Sequence, residues 1–483
     1  MPESTHTRSR VWGFLMDGDW LHEGERFDVV APFDGSVVGS AFRATPKHLD
    51  AAIAAAVKAF ETTRKLPSYE RQGVLGAVRD GISSRKEEIA RTLAREAGKP
   101  IRTARTEVDR AILTFSIAAE ESSRIYGEWL PLDLQPATSG RWGMVRRFPL
   151  GPIASISPFN FPLNLVAHKV APAMAAGCTI VHKPPPQTPL CSLLLGEIIQ
   201  EAGWPAGGMS VLPLSNTDAE GLVTDPRLKM LSFTGSAAVG WELKRKAGKK
   251  RVALELGGNA GVIVHRDADL EYAAERCVLG GFSYAGQVCI SVQRILVERS
   301  VFDAFLAEFV PRVQKLKLGD PLDETTDVGP LISQAAAERV GQWIEEAVAG
   351  GARLLCGGKR SGALFEPTVL TSTRSDQRVN CEEIFAPVVT VEPYGDFAEA
   401  LRRVNDTNYG LQAGVFTRDA KLLFEAYEEL EVGGVIAGDV PTFRMDNMPY
   451  GGVKDSGLGR EGIRYAIEEM TERKLFVMCP PRQ

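Results

Sequence analysis

The stretch Ser283-Tyr284-Ala285-Gly286-Gln287-Val288-Cys289-Ile290 sets one thiol just behind a Gly-Gln pair, between small and apolar neighbours. A thiol acts as a nucleophile when it has its thiolate form, a slim approach path for the electrophile, and donors aimed at the oxygen that becomes negative. Gly286 leaves the backbone room for such a path. A lone cysteine is otherwise a small buried hydrophobe, so the rest of the chain decides. Val252-Ala253-Leu254-Glu255-Leu256-Gly257-Gly258-Asn259 sets a carboxylate at the end of a strand-like run, against apolar residues and two glycines. Burial raises a carboxyl pKa toward neutrality, which suits a general base that activates water; a structural ion pair is the plainer alternative for Glu255. Pro158-Phe159-Asn160-Phe161-Pro162 fixes an amide between prolines. Asn160 can donate to an oxyanion without bringing a charge, though asparagine is also a common turn residue.

A second chemistry is anion binding. Met230-Leu231-Ser232-Phe233-Thr234-Gly235-Ser236 runs from a strand through a tight turn into a helix, so Ser236 and its neighbours offer free N–H groups at the positive end of a helix dipole, where a diphosphate docks. Ordinary capping explains the same residues. Gly457-Leu458-Gly459-Arg460-Glu461-Gly462 is formally G-x-G-x-x-G, but no credible strand precedes it and no β-α-β unit follows, so it is not read as a dinucleotide fingerprint.

These residues need a frame. From Gly151 to His265 short apolar runs alternate with helical patterns: Ile153 to Ile156, Cys178 to Val181, a helix from about Pro189 to Ala202, Val211-Leu212, Met230 to Phe233, a further helix, and Val252 to Leu254. That rhythm predicts an α/β fold with a parallel sheet, and nucleotide sites in such sheets lie at the carboxyl ends of the strands. From Gly280 a second β-α rhythm appears, with a strand at Arg294 to Val297, helices Val301 to Leu316, Gln334 to Ala349 and Phe397 to Val404, and strands Arg353 to Leu355 and Val388 to Val391. It predicts a second α/β domain. Before both come an N-terminal meander from Trp12 to Ser40, a helix capped by Thr45-Pro46, and helical segments 68 to 97 and 100 to 125 broken at Gly98-Lys99-Pro100. Tyr126 to Phe148 reads as a projecting two-stranded arm, with Leu475 to Met478 as a terminal strand able to pair with it. An arm with so little core of its own is expected to be buried by another subunit.

The whole chain sets bounds. Its 483 residues, 44% of them hydrophobic and 24% charged, suffice for about three domains. A net charge of -5 gives no general grip on nucleic acid or an anionic membrane; the basic run from Lys244 to Arg251 reads as a solvated face. Cysteines at 178, 191, 277, 289, 356, 381 and 479 form no C-x-x-C pair, and the histidines are dispersed, so neither a disulfide framework nor a metal centre is expected. Reduced cytoplasm fits best. The polar stretch Met1 to Arg10 has no apolar leader core, and no apolar run reaches the roughly 18 residues of a membrane span.

Taken together, the chain resembles the aldehyde dehydrogenase superfamily over nearly its whole length. The blocks that carry the resemblance are Ser157-Pro158-Phe159-Asn160-Phe161-Pro162, His182-Lys183-Pro184, Phe233-Thr234-Gly235-Ser236, Leu254-Glu255-Leu256-Gly257-Gly258, Gly286-Gln287-Val288-Cys289, Glu382-Glu383-Ile384-Phe385-Ala386-Pro387 and Pro449-Tyr450-Gly451-Gly452-Val453-Lys454. The resemblance implies a Rossmann-type cofactor domain (1–125 and 149–256), a catalytic domain (257–460), and a small β oligomerisation segment (126–148 and 461–483) in a homodimer or homotetramer. It implies that Cys289 attacks an aldehyde, that Asn160 and the Cys289 N–H hold the oxyanion, that Glu255 activates the hydrolytic water, and that Lys169 and Glu461 relay its proton. For NAD or NADP it implies contacts at Ile156, Ser157, Phe159, Lys183, Pro186, Ser215, Thr234, Gly235, Ser236, Val239, Leu256, Gly257, Glu383 and Phe385. Where members preferring NAD often carry Glu, this chain has Pro186; a carboxylate there would repel a 2′-phosphate, so NADP is expected to be accepted.

Substrate contacts are expected at Arg110, Phe161, His168, Val288, Ile290, Arg444 and Tyr450. Val288 and Ile290 flank the thiol with apolar surface where relatives for phosphates or phosphonates place Arg. The wording around Cys289 and Tyr450 is most similar to the lactaldehyde, glycolaldehyde and non-phosphorylating glyceraldehyde-phosphate group, which implies a small hydroxylated or acid-bearing aldehyde. Two alternatives stay open: a CoA-acylating semialdehyde dehydrogenase, which generally lacks the Glu255 base, and a catalytically silent protein of this fold.

Overall fold

A computed structural model describes residues 10–479. The first nine and last four residues lie outside the described part, and with them most of the polar stretch Met1 to Arg10 and the outer ends of the expected cofactor and oligomerisation segments.

The β-α rhythm after Gly151 builds five parallel strands, in spatial order Arg251–Glu255, Met230–Thr234, Ile153–Ile156, Ile180–Lys183 and Met209–Val211. Ile153–Ile156 comes first along the chain, so the sheet winds outward on one side for three strands and then crosses to the other side for two. This is the doubly wound, Rossmann-type order, with its switch point between Ile153–Ile156 and Met230–Thr234. The loops that leave those two strands carry Ser157 to Asn160 and Gly235-Ser236. Antiparallel strands close the edges: Phe14–Met16 with Asp19–Leu21 on one side and Gly457–Leu458 on the other. The expected N-terminal meander is therefore split. Arg26–Val30 and Val37–Phe42 form its hairpin, whereas the buried Phe14 and Leu15 draw their strand into the large sheet. Gly457–Leu458, the start of the formal G-x-G-x-x-G, leads through the left-handed Gly459 and Gly462 into helix Ile463–Glu469. Ile463, Ile467 and Met470 pack into the core formed with the N-terminal helices and the first sheet.

The second sheet has the spatial order Arg353–Cys356, Thr368–Thr371, Val388–Tyr394, Val292–Glu298, Ala260–Val264, Gln412–Phe416, Gly434–Ala437, and its neighbours are parallel except for the first pair. Thr471–Met478 pairs antiparallel with Trp142–Pro149 along its whole length, from Thr471 opposite Pro149 to Met478 opposite Trp142, and Glu128–Pro131 completes this arm. No helix among the described residues is long and apolar enough to cross a membrane.

Helix Asn164–Ala176 is buried at every position, so its first N–H groups need partners inside the protein. Glu107 supplies them: its Oε1 accepts from the N–H groups of Leu163 and Asn164 at 3.0 and 3.1 Å, and its other oxygen pairs with the buried ammonium of Lys99. Lys99 in turn lies 3.8 Å from the ring centre of Phe161 and 4.4 Å from that of Tyr284. One buried ion pair thus ties the break at Gly98-Lys99-Pro100 to both loops that flank the thiol.

Candidate active site

Cys289 stands in the loop between helix Leu270–Phe282 and strand Val292–Glu298. Three residues ahead of it turn left-handed in succession, with φ of 49° at Tyr284, 52° at Ala285 and 68° at Gly286. For residues other than glycine this costs roughly 1–3 kcal/mol each and persists only where surroundings enforce it. The Tyr284 hydroxyl donates to Ala97 O at 2.8 Å, anchoring the turn. At Gly286 a Cβ would lie 2.1 Å from the carbonyl oxygen of Ala386, so only glycine fits. Gln287 fixes the next step: its Oε1 accepts from Ile332 N at 2.8 Å, and its backbone carbonyl accepts from Asn160 Nδ2 at 3.0 Å. That bond uses one of the two amide hydrogens of Asn160 and leaves the other free.

Glu255 is the last residue of its strand and is 4% exposed. Its Oε2 has no partner. Burial, and then the nearby Glu461, raise its carboxyl well above the ordinary value, with Arg444, Lys169 and Arg460 pulling the other way. Glu461 behaves oppositely. Although burial works against its charge, Lys169 and Arg444 hold it well below the usual carboxylate range; Lys169 Nζ lies 3.3 Å from Oε1 and Arg444 Nη2 3.0 Å from Oε2. The expected pair Lys169 and Glu461 is thus in contact, beside Glu255.

Around the sulfur, Tyr450 Oη lies 2.9 Å from Cys289 Sγ, and the Arg444 guanidinium sits 3.7 Å from the centre of the Tyr450 ring. Burial pushes the thiol up to about 11, while Tyr450 and Arg444 pull it down. Ile290 and Tyr450 are buried with Leu411, and the half-buried Val288 and Cys289 pack against them. Phe161 meets Tyr284 edge to face.

Two expected substrate residues are otherwise engaged. Arg110 directs Nη2 to Asp446 Oδ1 at 2.6 Å, and His168 Nε2 donates to the same oxygen at 2.8 Å. Asp446, which the sequence reading missed, gathers both because it faces two helices at once. Although burial penalises its charge, His168 and Arg110 hold it far below the usual range. Burial, reinforced by Arg444, pushes His168 down toward its neutral form.

A cleft of about 450 Å³ runs from the sheet switch point to Cys289, lined by Ile156, Ser157, Phe159, Asn160, Lys183, Pro186, Asn216, Thr234, Gly235, Ser236, Leu256, Gly257, Arg339, Glu383 and Phe385, among others. A neighbouring cleft of about 430 Å³ shares Ile156, Lys183, Asn216 and Phe233 with it and adds Val239. Ser215 is the exception. Its hydroxyl bonds Asp218 Oδ2 at 2.7 Å and accepts from Asp218 N, and Asn216, one residue on, lines the cleft instead. No sequence signal separated the two, because either side chain serves a turn.

The lining suits a dinucleotide. Thr234 Oγ1 and Asn160 Oδ1 are buried without partners, as if awaiting a ligand or water. Ser236 begins helix Ala237–Lys246 with no side-chain cap, leaving first-turn N–H groups for a diphosphate. At Gly257 a Cβ would lie 2.3 Å from Glu383 Oε2, so the missing side chain makes room for that carboxylate. Burial raises Glu383 to about 7, opposed by the Gly258 N–H, which donates to it at 2.9 Å, and by Arg339. Burial, with Arg43 nearby, lowers Lys183 to about 8.

Comparison with known proteins agrees with this arrangement. The family model described as "Aldehyde dehydrogenase family" matches residues 20–476. A 3-sulfolactaldehyde dehydrogenase of Priestia aryabhattai is 44% identical over 473 residues, 98% of this chain and 99% of that one. Among solved structures, aldehyde dehydrogenase 21 of Physcomitrella patens in complex with the reaction product succinate superposes with a TM-score of 0.96 at 47% identity, covering 98% of each chain. The glyceraldehyde-3-phosphate dehydrogenase GapN of Methanocaldococcus jannaschii, complexed with NADP, gives 0.92 at 42% identity and covers 95% of this chain and 100% of that one. A family match of that extent, over a chain that sets a cysteine, an amide and a buried carboxyl around the mouth of a dinucleotide cleft, leads to one conclusion: the chain belongs to the aldehyde dehydrogenase family, enzymes that oxidise aldehydes with NAD or NADP.

Proposed function

We propose that this enzyme oxidises a short aldehyde bearing a single negative charge at its far end, a carboxylate or a sulfonate, to the corresponding acid. The observation that carries the reading is Arg444, a buried cation stacked on the tyrosine that touches the thiol. In the ion-pair cluster to which it belongs, three cations, Arg110, Lys169 and Arg444, meet two carboxylates, Asp446 and Glu461, while burial pushes the carboxyl of Glu255 up and His168 toward its neutral base. Buried charge is stable when compensated, and one anion restores the balance. Arg444 is the natural holder: its side chain is 6% exposed and its Nε has no partner. A dianionic phosphate would overfill the site, consistent with Val288 and Ile290 beside the thiol. The sulfolactaldehyde enzyme and the succinate-bound relative act on or release acid-bearing compounds of this class.

In this reading Cys289 thiolate bonds the carbonyl carbon, and the displaced π pair becomes an oxyanion held by the free Asn160 amide hydrogen and the Cys289 N–H. A bound nicotinamide supplies the hydride acceptor. Glu255 then takes a proton from water, which hydrolyses the thioester, and Lys169 with Glu461 offers that proton a way out. Pro186 places no carboxylate against a 2′-phosphate, and Arg43 with Lys183 adds positive charge nearby, so NADP is accepted; a hundredfold preference for NAD would overturn that point. The division into segments 1–125 with 149–256, 257–460, and 126–148 with 461–483 accompanies this reading, as does assembly into a homodimer or homotetramer through the arm. Free cysteines fit work in the cytoplasm.

An aldehyde panel tests the substrate. Succinate semialdehyde and sulfonated aldehydes should exceed uncharged aldehydes of equal length in kcat/KM by about tenfold or more, and Arg444→Met should erase that margin. A win for long alkyl or aromatic aldehydes would sink the proposal. Near-normal turnover by Cys289→Ala would remove its foundation, and acyl-CoA formation on adding coenzyme A would replace hydrolysis with acyl transfer.

A further inference from the structure

We propose that Tyr450 is a catalytic residue whose hydroxyl donates a hydrogen bond to the Cys289 thiolate, stabilising it before attack, while Arg444 stacked on its ring keeps the phenol in place and polarised. Geometry carries this. The oxygen and sulfur are 2.9 Å apart, the ring and guanidinium are in van der Waals contact at 3.7 Å, and Tyr450 itself is 2% exposed. In such a setting the phenol is the donor. Burial, and then the thiol beside it, hold its own proton on, against the pull of Arg444. A hydrogen bond to an ionised acceptor is roughly twice as strong as one between neutral groups, so the contact favours thiolate over thiol.

The proton balance is simple. The thiol proton leaves to solvent, Tyr450 keeps its own, and the sulfur lone pair forms the carbon–sulfur bond as the carbonyl π pair moves to oxygen. Once the sulfur is bonded to carbon it is a poor acceptor, and the hydroxyl is released. The inference rests on Cys289 being the nucleophile, yet it holds whichever aldehyde is the substrate.

The test follows the sulfur directly. Iodoacetamide modification of Cys289 is measured against pH in wild type and Tyr450→Phe, with the labelled peptide identified by mass, since Cys356, Cys381 and Cys479 are also partly or fully exposed. Phenylalanine retains the ring and its stacking with Arg444, so only the hydroxyl is lost, and unchanged cofactor affinity verifies the fold. The titratable groups facing the sulfur, Arg444, Glu383 and Glu255, are the same in both proteins. Labelling at neutral pH should fall about tenfold or more in the variant, its midpoint moving up by about one unit or more, and kcat/KM should drop in parallel and recover as pH rises. An unchanged or lowered midpoint overturns the role of Tyr450. Full activity in Cys289→Ala, by contrast, would overturn the nucleophile and not merely its donor.

Discussion

Two buried carboxyls near one sulfur carry opposite tendencies, and that difference sets their parts. Glu461 lies between Lys169 and Arg444 and stays ionised, whereas Glu255, with an unpartnered oxygen and Glu461 for a neighbour, favours its acid form. A base whose carboxyl is raised must lose its proton before it can act. The rate of acid release should therefore climb with pH beyond the ordinary carboxyl range, and Glu255→Gln should flatten the climb and slow release by about 10²–10⁴-fold while leaving a burst of reduced cofactor, followed by stopped-flow absorbance. For stability the sign is reversed. Between the ordinary carboxyl value and the raised one the native state holds the extra proton, so Glu255 makes the fold less stable as pH rises through that window. That Cys289, Glu255 and Asn160 come together in one region was legible in the sequence, from the glycines and prolines that mark their loops and from the order of the blocks shared with the family. The engagement of Arg110 and His168 was not, since their partner Asp446 lies hundreds of residues away along the chain, and neither was the choice of Asn216 over Ser215.

At the level of elements, the strained turn before Cys289 is held from below. Lys99 lies against Tyr284 and Phe161, and Glu107 joins it to the start of helix Asn164–Ala176. Lys99→Met would leave the Glu107 carboxylate buried without a counter-charge, a loss of roughly 3–5 kcal/mol, seen as a lower denaturant midpoint. Helix patterns such as Gln334–Ala349 could be read from apolar spacing alone. Strands Ala260–Val264, Thr368–Thr371, Gln412–Phe416 and Gly434–Ala437 are not predicted from the sequence, since runs of four or five residues carry no period that distinguishes them from a helix or a turn. Their place in the second sheet is set by long-range pairing.

On the scale of the molecule, the arm leaves apolar side chains in the open: Trp129 is 63% exposed, Leu475 51% and Phe476 49%. A bare ribbon of this kind asks for a second copy. Light scattering should find a dimer or tetramer in wild type, and Phe476→Glu should move it toward monomers without altering cofactor binding; a monomeric wild type would contradict the assembly. The sequence points to a terminal strand at Leu475 to Met478 pairing with the 126–148 arm, and the structure extends that pairing back to Thr471 opposite Pro149, where the polar run Thr471-Glu472-Arg473-Lys474 carries no apolar signal.

Asp446 has a mechanical consequence too. It sits on the loop that follows strand Gly434–Ala437 of the second sheet, yet its oxygens are gripped by Arg110 and His168 from helices that cover the first. Separating the two halves there would break the Arg110–Asp446 ion pair and the His168–Asp446 hydrogen bond, whose loss opposes a hinge motion. Asp446 therefore serves as a latch between the two sheets, in addition to fixing the two side chains it holds.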